Sequence, residues 1–362
     1  MTDRKIRVSI GVPVYNGENY LEAALDSLLA QTFQDFEIII ADNASTDRTE
    51  EICQFYAAKD NRIRYYRHPT NIGATPNFDC LLKYARGEYF KWAAHDDVHA
   101  PTYLEKCVAV LDRNPKVILC YPWTQFIDEK GDAYPRNYEF DGKLRLNSDQ
   151  PHERFHDIAC TFQECFQLFG LIRTSVLKQP SVGPYGNYSH ADGVYLARLA
   201  LAGQFHEIPE QLFLSRQHSQ QSCKVYAAEN TDYDYFEYTA WCDPSKAGKF
   251  ILPHWTIFSE YCSAIFRSQV SFTEKLACLS TLRVWLRTYW THMVRDIFGA
   301  TNYYFYSLKP ALSTAYFSDP IVDDRNPQLS KIHLTEILRF LQDLYHLASS
   351  LNRYRQDGTS LY

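Results

Sequence analysis

The stretch Tyr89–Pro101 reads YFKWAAHDDVHAP and sets two adjacent carboxylates, Asp96 and Asp97, where an apolar run ends. Side-by-side carboxylates repel and dehydrate badly, so they make a poor stability device. They make a good site for a cation and a nucleotide, because open α/β sheets gather ligands at the carboxyl ends of their strands. Two more polar clusters follow apolar runs: Pro13-Val14-Tyr15-Asn16 after RVSIGVPV, and Asp42-Asn43-Ala44-Ser45-Thr46-Asp47 after FEIIIA. At one edge of a parallel sheet the three clusters would converge. Asp42 can accept a hydrogen bond from a base N–H, and Tyr15 can pack beside the ring. Asp97 can hold Mg²⁺ or Mn²⁺, hard cations that take oxygen ligands and bridge phosphates.

The surrounding chain supplies elements able to position these residues. Arg7–Val14, Phe36–Ala41, Ile63–Arg67, Tyr89–Ala94 and Val117–Tyr121 read as strands, the first lacking clean alternation, as a strand covered on both faces should. Helical patterns lie between them, one with Leu21, Leu25, Leu28 and Leu29 on a single face, capped by Asn16. Ser45 or Thr46 is placed to cap the next helix, and Pro101 to open another. This alternation predicts an α/β fold with a mostly parallel sheet and right-handed crossovers. Residues 128–150 read as a long polar excursion. Beyond it come a helix over about 152–166, a strand-like Gln167–Arg173, a loop Pro180–Ser189, and a helix from Asp192. Two short strands follow, Phe205–Ile208 and Leu212–Ser215.

Past about Tyr226 the alternation stops and helical patterns thick with aromatics take over. The expected division is therefore 1–225 and 226–362, the first part splitting near residue 125. Leu276, Leu279, Leu282, Leu286, Trp290, Met293 and Ile297 keep close to one helical stripe, and a last helix is expected over about 329–352. From Lys246 to Lys309 the cations outnumber Glu260, Glu274 and Asp296. A stripe of this kind most often packs on a neighbouring domain or a second subunit; the other reading is a peripheral membrane face.

The N-terminal motifs VSIGVPVYN, LDSLLAQTFQDFEIIIADNASTDRT and NIGATPNFDCLLKYARGEYFKWAAHDDVHAP resemble the nucleotide-sugar half of family 2 glycosyltransferases, from Val8 to about Pro122. The resemblance implies a GT-A fold and an inverting transfer from a nucleotide-diphosphate sugar, a UDP-sugar before others, to a saccharide or lipid-linked acceptor. It implies that Asp42 binds the base beside Pro13, Val14 and Tyr15, that Asn71 and Gly73 lie near the nucleotide, that Asp96 meets the ribose, and that Asp97 meets the metal. One position in this half departs from the family: Ala94 stands where an earlier Asp is common. The second half is similar through FGLIR and HADGVYLARLALAGQFHEIPEQLFLSRQH. There Asp192 falls on the catalytic Asp, with Ala191 in place of the preceding Glu. Arg216 and His218 match an Arg-x-His, whose His is implied to complete the metal or diphosphate site.

Other readings are open to the same residues. His152-Glu153-Arg154-Phe155-His156 is a literal HExxH, which on a helix can bind zinc. Ala159 and Phe162 occupy the places of the Gly and third His of the extended zinc-protease motif, so a plain helix is expected. A sugar-nucleotide nucleotidyltransferase would start with a basic Gly-rich loop, and Gly11–Gly17 holds no Arg or Lys. A binding protein without catalysis would tolerate Ala94 and Ala191. The net charge of −6 argues against a nucleic-acid binder. No CxxC pair appears among 10 cysteines, and no apolar run reaches the roughly 18 residues of a membrane span. A cytoplasmic protein is expected, with or without contact to the inner face of the membrane.

Overall fold

The computed structural model describes residues 6–316, apart from 139–140, 162–163, 226–234, 248 and 250. The expected last helix lies outside them. β-Branched runs open the chain: β1 (Val8–Val14) and β2 (Phe36–Asp42) are buried at every residue. They pair in parallel with Val14 opposite Asp42, and β3 (Ile63–Arg67) extends the sheet beyond β2. On the other side β1 pairs in parallel with β4 (Tyr89–Trp92). The helices α1 (Leu21–Leu29), α2 (Thr49–Lys59) and α3 (Ala74–Tyr84) make the crossovers. Even-numbered β1 residues (Val8, Ile10, Val12, Val14) share one apolar cluster with α1, α2 and α4 (Tyr103–Arg113). The opposite face of the sheet packs Ile39, Ala41, Phe90 and Trp92 with Leu81 of α3. Coverage on both faces explains the unbroken apolar runs.

The second half of the sheet is mixed. β5 (Val98–His99), β6 (Val117–Ile127), β7 (Ala133–Asn137), β8 (Leu171–Arg173) and β9 (Gln204–Arg216) complete the order β3-β2-β1-β4-β8-β6-β9-β5, with β7 on β6. Three expectations change here. The polar excursion contains β7, paired antiparallel with β6. The two expected short strands are one strand, β9, which follows β6 in parallel through shifts in register near Pro209. β5, inside the loop after Asp97, pairs antiparallel with β9. A proline and a two-residue strand are local features that only long-range pairing can override.

The chain continues through α5 (Pro151–Cys160), a 3₁₀ turn at Phe166–Phe169, α6 (Thr174–Leu177), α7 (Ala191–Ala202) and α8 (Ser222–Val225). It ends, among the described residues, in α9 (Tyr235–Cys242), α10 (Pro253–Arg267) and α11 (Phe272–Tyr316). α10 and α11 lie on α5 and α7 and join the core that covers the sheet. The buried side of α11 is Cys278, Leu282, Trp285 and Met293, whereas Leu276 and Trp290 of the expected stripe are exposed. No helix among the described residues is long and apolar enough to cross a membrane.

Candidate active site

The carboxyl ends of β1, β2 and β4 meet at a cleft of about 880 Å³. From the sequence-derived site, Pro13, Val14, Tyr15, Asn71, Asp96, Asp97, Asp192 and His218 border it; Asp42, Gly73 and Arg216 stand behind its wall. The wall is built by cross-links between strand ends. The peptide N–H of Asn43 donates to the carbonyl of Val14 (2.9 Å), and that of Asn16 to Ser45 Oγ (2.9 Å). Asn16 has a φ of 51° and accepts from the N–H of Thr46 (2.9 Å). It therefore ties two loops instead of capping α1, whose N-cap is Tyr20. Ser45 and Thr46 do not cap α2 either; Asp47 Oδ1 accepts from the N–H of Thr49 (3.0 Å).

Asp42 is wholly buried, accepting from the N–H of Ser45 and the hydroxyl of Tyr65 (2.8 Å each), with Arg67 at 3.4 Å. Its neighbour Asn43 clasps the 71–73 loop: Nδ2 donates to Asn71 Oδ1 (2.9 Å) and the carbonyl of Gly73 (3.2 Å), while Oδ1 accepts from the N–H of Ile72 (2.8 Å). Gly73 has a φ of +91°, and a Cβ there would lie 2.8 Å from the carbonyl oxygen of Cys242. Backbone conformation and close approach both demand glycine.

At the acidic turn, the two carboxylates differ in partners. Asp96 Oδ2 lies 2.9 Å from His218 Nε2. Burial pushes the Asp96 carboxyl up, but the positive field of His95 and the His218 hydrogen bond outweigh it and hold it below the usual range. Asp97 Oδ1 accepts from the N–H of Arg216 (2.9 Å). Burial, then the charge of Asp96, pushes the Asp97 carboxyl well above the usual range, against Arg216, Lys91 and Ser215. Arg216 turns its Nε to the carbonyl of Asp96 (2.9 Å) and an amino group to those of Asp128 and Glu129 (3.0 Å each). Its guanidinium thus braces the turn from behind. The Tyr20 ring carries the Arg216 guanidinium 4.8 Å from its centroid and meets the His218 ring in a tilted contact, also at 4.8 Å.

The donor set fits a hard divalent cation: carboxylate oxygens from Asp96 and Asp97, and the imidazole of His218, whose Nδ1 is buried without a hydrogen-bond partner. Among the described residues no three His, Cys, Asp or Glu side chains form a ready cage. A cation shared with substrate phosphates needs no such cage.

Across the cleft, Asp192 is the second residue of α7, whose N-cap is His190 at a φ of 62°. A plain capping role for Asp192 is thereby replaced by a place in the first turn, where helix N–H groups favour negative charge. Cleft residues that sequence reasoning passed over include His95, Cys165 and His190. His95 was legible, adjoining Asp96. Cys165 and His190 were not, because their left-handed backbone (φ 57° and 62°) carries no residue signature when the residue is not glycine.

The HExxH of α5 holds its histidines apart from any shared site. The peptide N–H and Nδ1 of His152 both engage Glu274 of α11 (3.0 and 2.9 Å), while His156 Nδ1 lies 3.2 Å from Asp157. The motif docks one helix on another.

The model of glycosyl transferase family 2 matches residues 9–178. This segment belongs to that family. A Rickettsia felis protein named as an uncharacterized glycosyltransferase is 40% identical over 143 residues, 39% of this chain and 23% of its own length. A Methanocaldococcus jannaschii protein of similar name is 34% identical over 139 residues, covering 37% of this chain and 48% of itself. The chain thus spans less than half the length of these relatives. Among solved structures, S. aureus TarS 1–349 in complex with UDP-GlcNAc superposes with a TM-score of 0.56 at 16% identity, covering 82% of this chain and 81% of its own. At that identity the likeness speaks to the fold, which is GT-A with added C-terminal helices.

Proposed function

We propose that this glycosyltransferase-family cleft transfers a sugar from a nucleotide-diphosphate donor, a UDP-sugar first, to an acceptor hydroxyl with inversion. The observation that carries the reading is the meeting of Asp96 and Asp97 with Asp192, almost a hundred residues later, around one cleft. The base would lie by Pro13, Val14 and Tyr15, with Asp42 behind them, and the ribose by Asp96. Arg216 keeps the acidic turn in place. The 71–73 loop, clasped by Asn43, closes the nucleotide side.

In the reaction, the acceptor oxygen attacks the anomeric carbon while its proton passes to the Asp192 carboxylate. The bond from that carbon to the diphosphate oxygen breaks, and the nucleoside diphosphate departs from the opposite face. A divalent cation, Mg²⁺ or Mn²⁺, held by Asp97 and His218 would supply positive charge beside the diphosphate when bound. The acceptor is a saccharide or a lipid-linked saccharide, and the product enters polysaccharide, glycolipid or glycan synthesis. A cytoplasmic setting is supported by the nine cysteines whose side chains are described, all free thiols.

A thermal-shift panel of UDP- and GDP-sugars with Mn²⁺, followed by product analysis with a saccharide acceptor, tests this. A donor-dependent rise in melting temperature is expected, because a ligand of the native state stabilises it. Asp192→Asn should keep that rise and lose about 10²–10⁴-fold in transfer. Full transfer by this variant would overturn the role of Asp192. Donor binding with neither transfer nor hydrolysis would favour the binding-protein reading instead.

A further inference from the structure

The outer side of α11 is neither polar nor bare of charge. Phe272, Leu276 and Trp290 are 74%, 50% and 56% exposed. At about 100° per residue they share one side of the helix with Arg283 and Arg287. The buried residues Cys278, Leu282, Trp285 and Met293 occupy a separate side, centred about 120° away. Phe266 is 64% exposed in the last turn of α10, which meets the first turns of α11 where Lys275 Nζ donates to the Phe266 carbonyl (3.0 Å).

The charges on these helices are sorted by side. Within residues 253–299 the acids are Glu260, Glu274 and Asp296. Each is engaged by a neighbouring element: Glu260 pairs with Arg198 (2.7 Å), while Glu274 lies 2.9 Å from His152 Nδ1 and Asp296 2.9 Å from His254 Nδ1. The outer side therefore keeps its cations and aromatics and has given up its carboxylates.

We propose that this surface, formed by Phe266, Phe272, Leu276, Arg283, Arg287 and Trp290, docks on an anionic lipid bilayer. Large rings and a leucine enter the boundary between headgroups and acyl chains, while arginines beside them meet lipid phosphates. A second copy of the chain fits less well. Self-pairing through this face would set Arg283 and Arg287 against like charges, with no carboxylate on the face to answer them. The proposal does not depend on the sugar-transfer chemistry.

Co-sedimentation of the full chain with vesicles tests it, using phosphatidylcholine alone and phosphatidylcholine with phosphatidylglycerol. Binding is expected only to the anionic vesicles, and should fall steeply at about 1 M salt, where the Debye length is about 3 Å. The double variant Arg283→Glu with Arg287→Glu should lose at least tenfold in bound fraction. The variant Phe266→Ser with Phe272→Ser should lose as much, although both sites are exposed and the melting temperature should hold. Absence of binding to anionic vesicles, or equal binding by the wild type and both variants, would overturn the proposal. So would a dimer, seen by light scattering, that the same variants dissociate.

Discussion

The peptide N–H of Arg216 donates to Asp97 Oδ1 at 2.9 Å, joining residues 119 positions apart in the chain. The end of β9 therefore fixes the orientation of an acid that the sequence places in a separate half of the molecule. The same residue holds the carbonyls of Asp96, Asp128 and Glu129.

Arg216→Ala should strip the side-chain donors from these part-buried carbonyls and cost about 1–3 kcal/mol, read by urea unfolding. Donor affinity should fall with it. Arg216→Lys should rescue little, since an ammonium cannot span carbonyls that a planar guanidinium reaches together. Full rescue by lysine would show that charge alone is required.

His218→Asn removes the imidazole from Asp96, whose carboxyl burial raises and whose neighbours His95 and His218 hold below the usual range. A carboxyl depressed on folding stabilises above its unfolded pKa of about 3.9 and loses that contribution as pH falls through the lower, folded value. The variant should therefore unfold at a higher pH during acid titration. It should also need roughly tenfold more Mn²⁺ for half-maximal donor binding. An unchanged acid midpoint would remove His218 from this account.

Lys91 Nζ sits 2.7 Å from His99 Nε2 with no exposed surface. Burial drags the Lys91 amine down to about 7, while the acid Asp97 pulls the other way. An unfolded lysine titrates near 10.4. Between about pH 7 and 10 the unfolded chain thus binds the extra proton, and this group makes stability rise with pH. Lys91→Met should flatten the rise in urea midpoint over that window. Parallel profiles for the two proteins would refute the assignment.

Glu274→Ala should cost about 1–2 kcal/mol, because it leaves His152 without its partner at the α5–α11 contact. His156→Ala, half exposed, should stay within about 0.5 kcal/mol. Added zinc should bind no more tightly to the wild type than to His156→Ala, measured by competition with a chromogenic chelator. A high-affinity zinc ion lost in that variant would revive the metal reading of HExxH.

What the sequence determined by itself was the nucleotide side. There each strand is an apolar run, each run ends in the polar residues that line the cleft, and parallel pairing brings consecutive ends to one edge. Local composition and periodicity are enough for that, as β1, β2 and β4 with Tyr15, Asn43 and Asp96 make plain. The tertiary structure decided whatever depends on partners distant in the chain. It joined two apparent strands into β9 across Pro209 and inserted β5 after Asp97. It turned Arg216 into a brace, made HExxH a helix contact, and rotated α11 so that Leu276 and Trp290 face outward. A side chain's type limits what bonds it can make; which of them it makes is set by the groups that folding brings within reach.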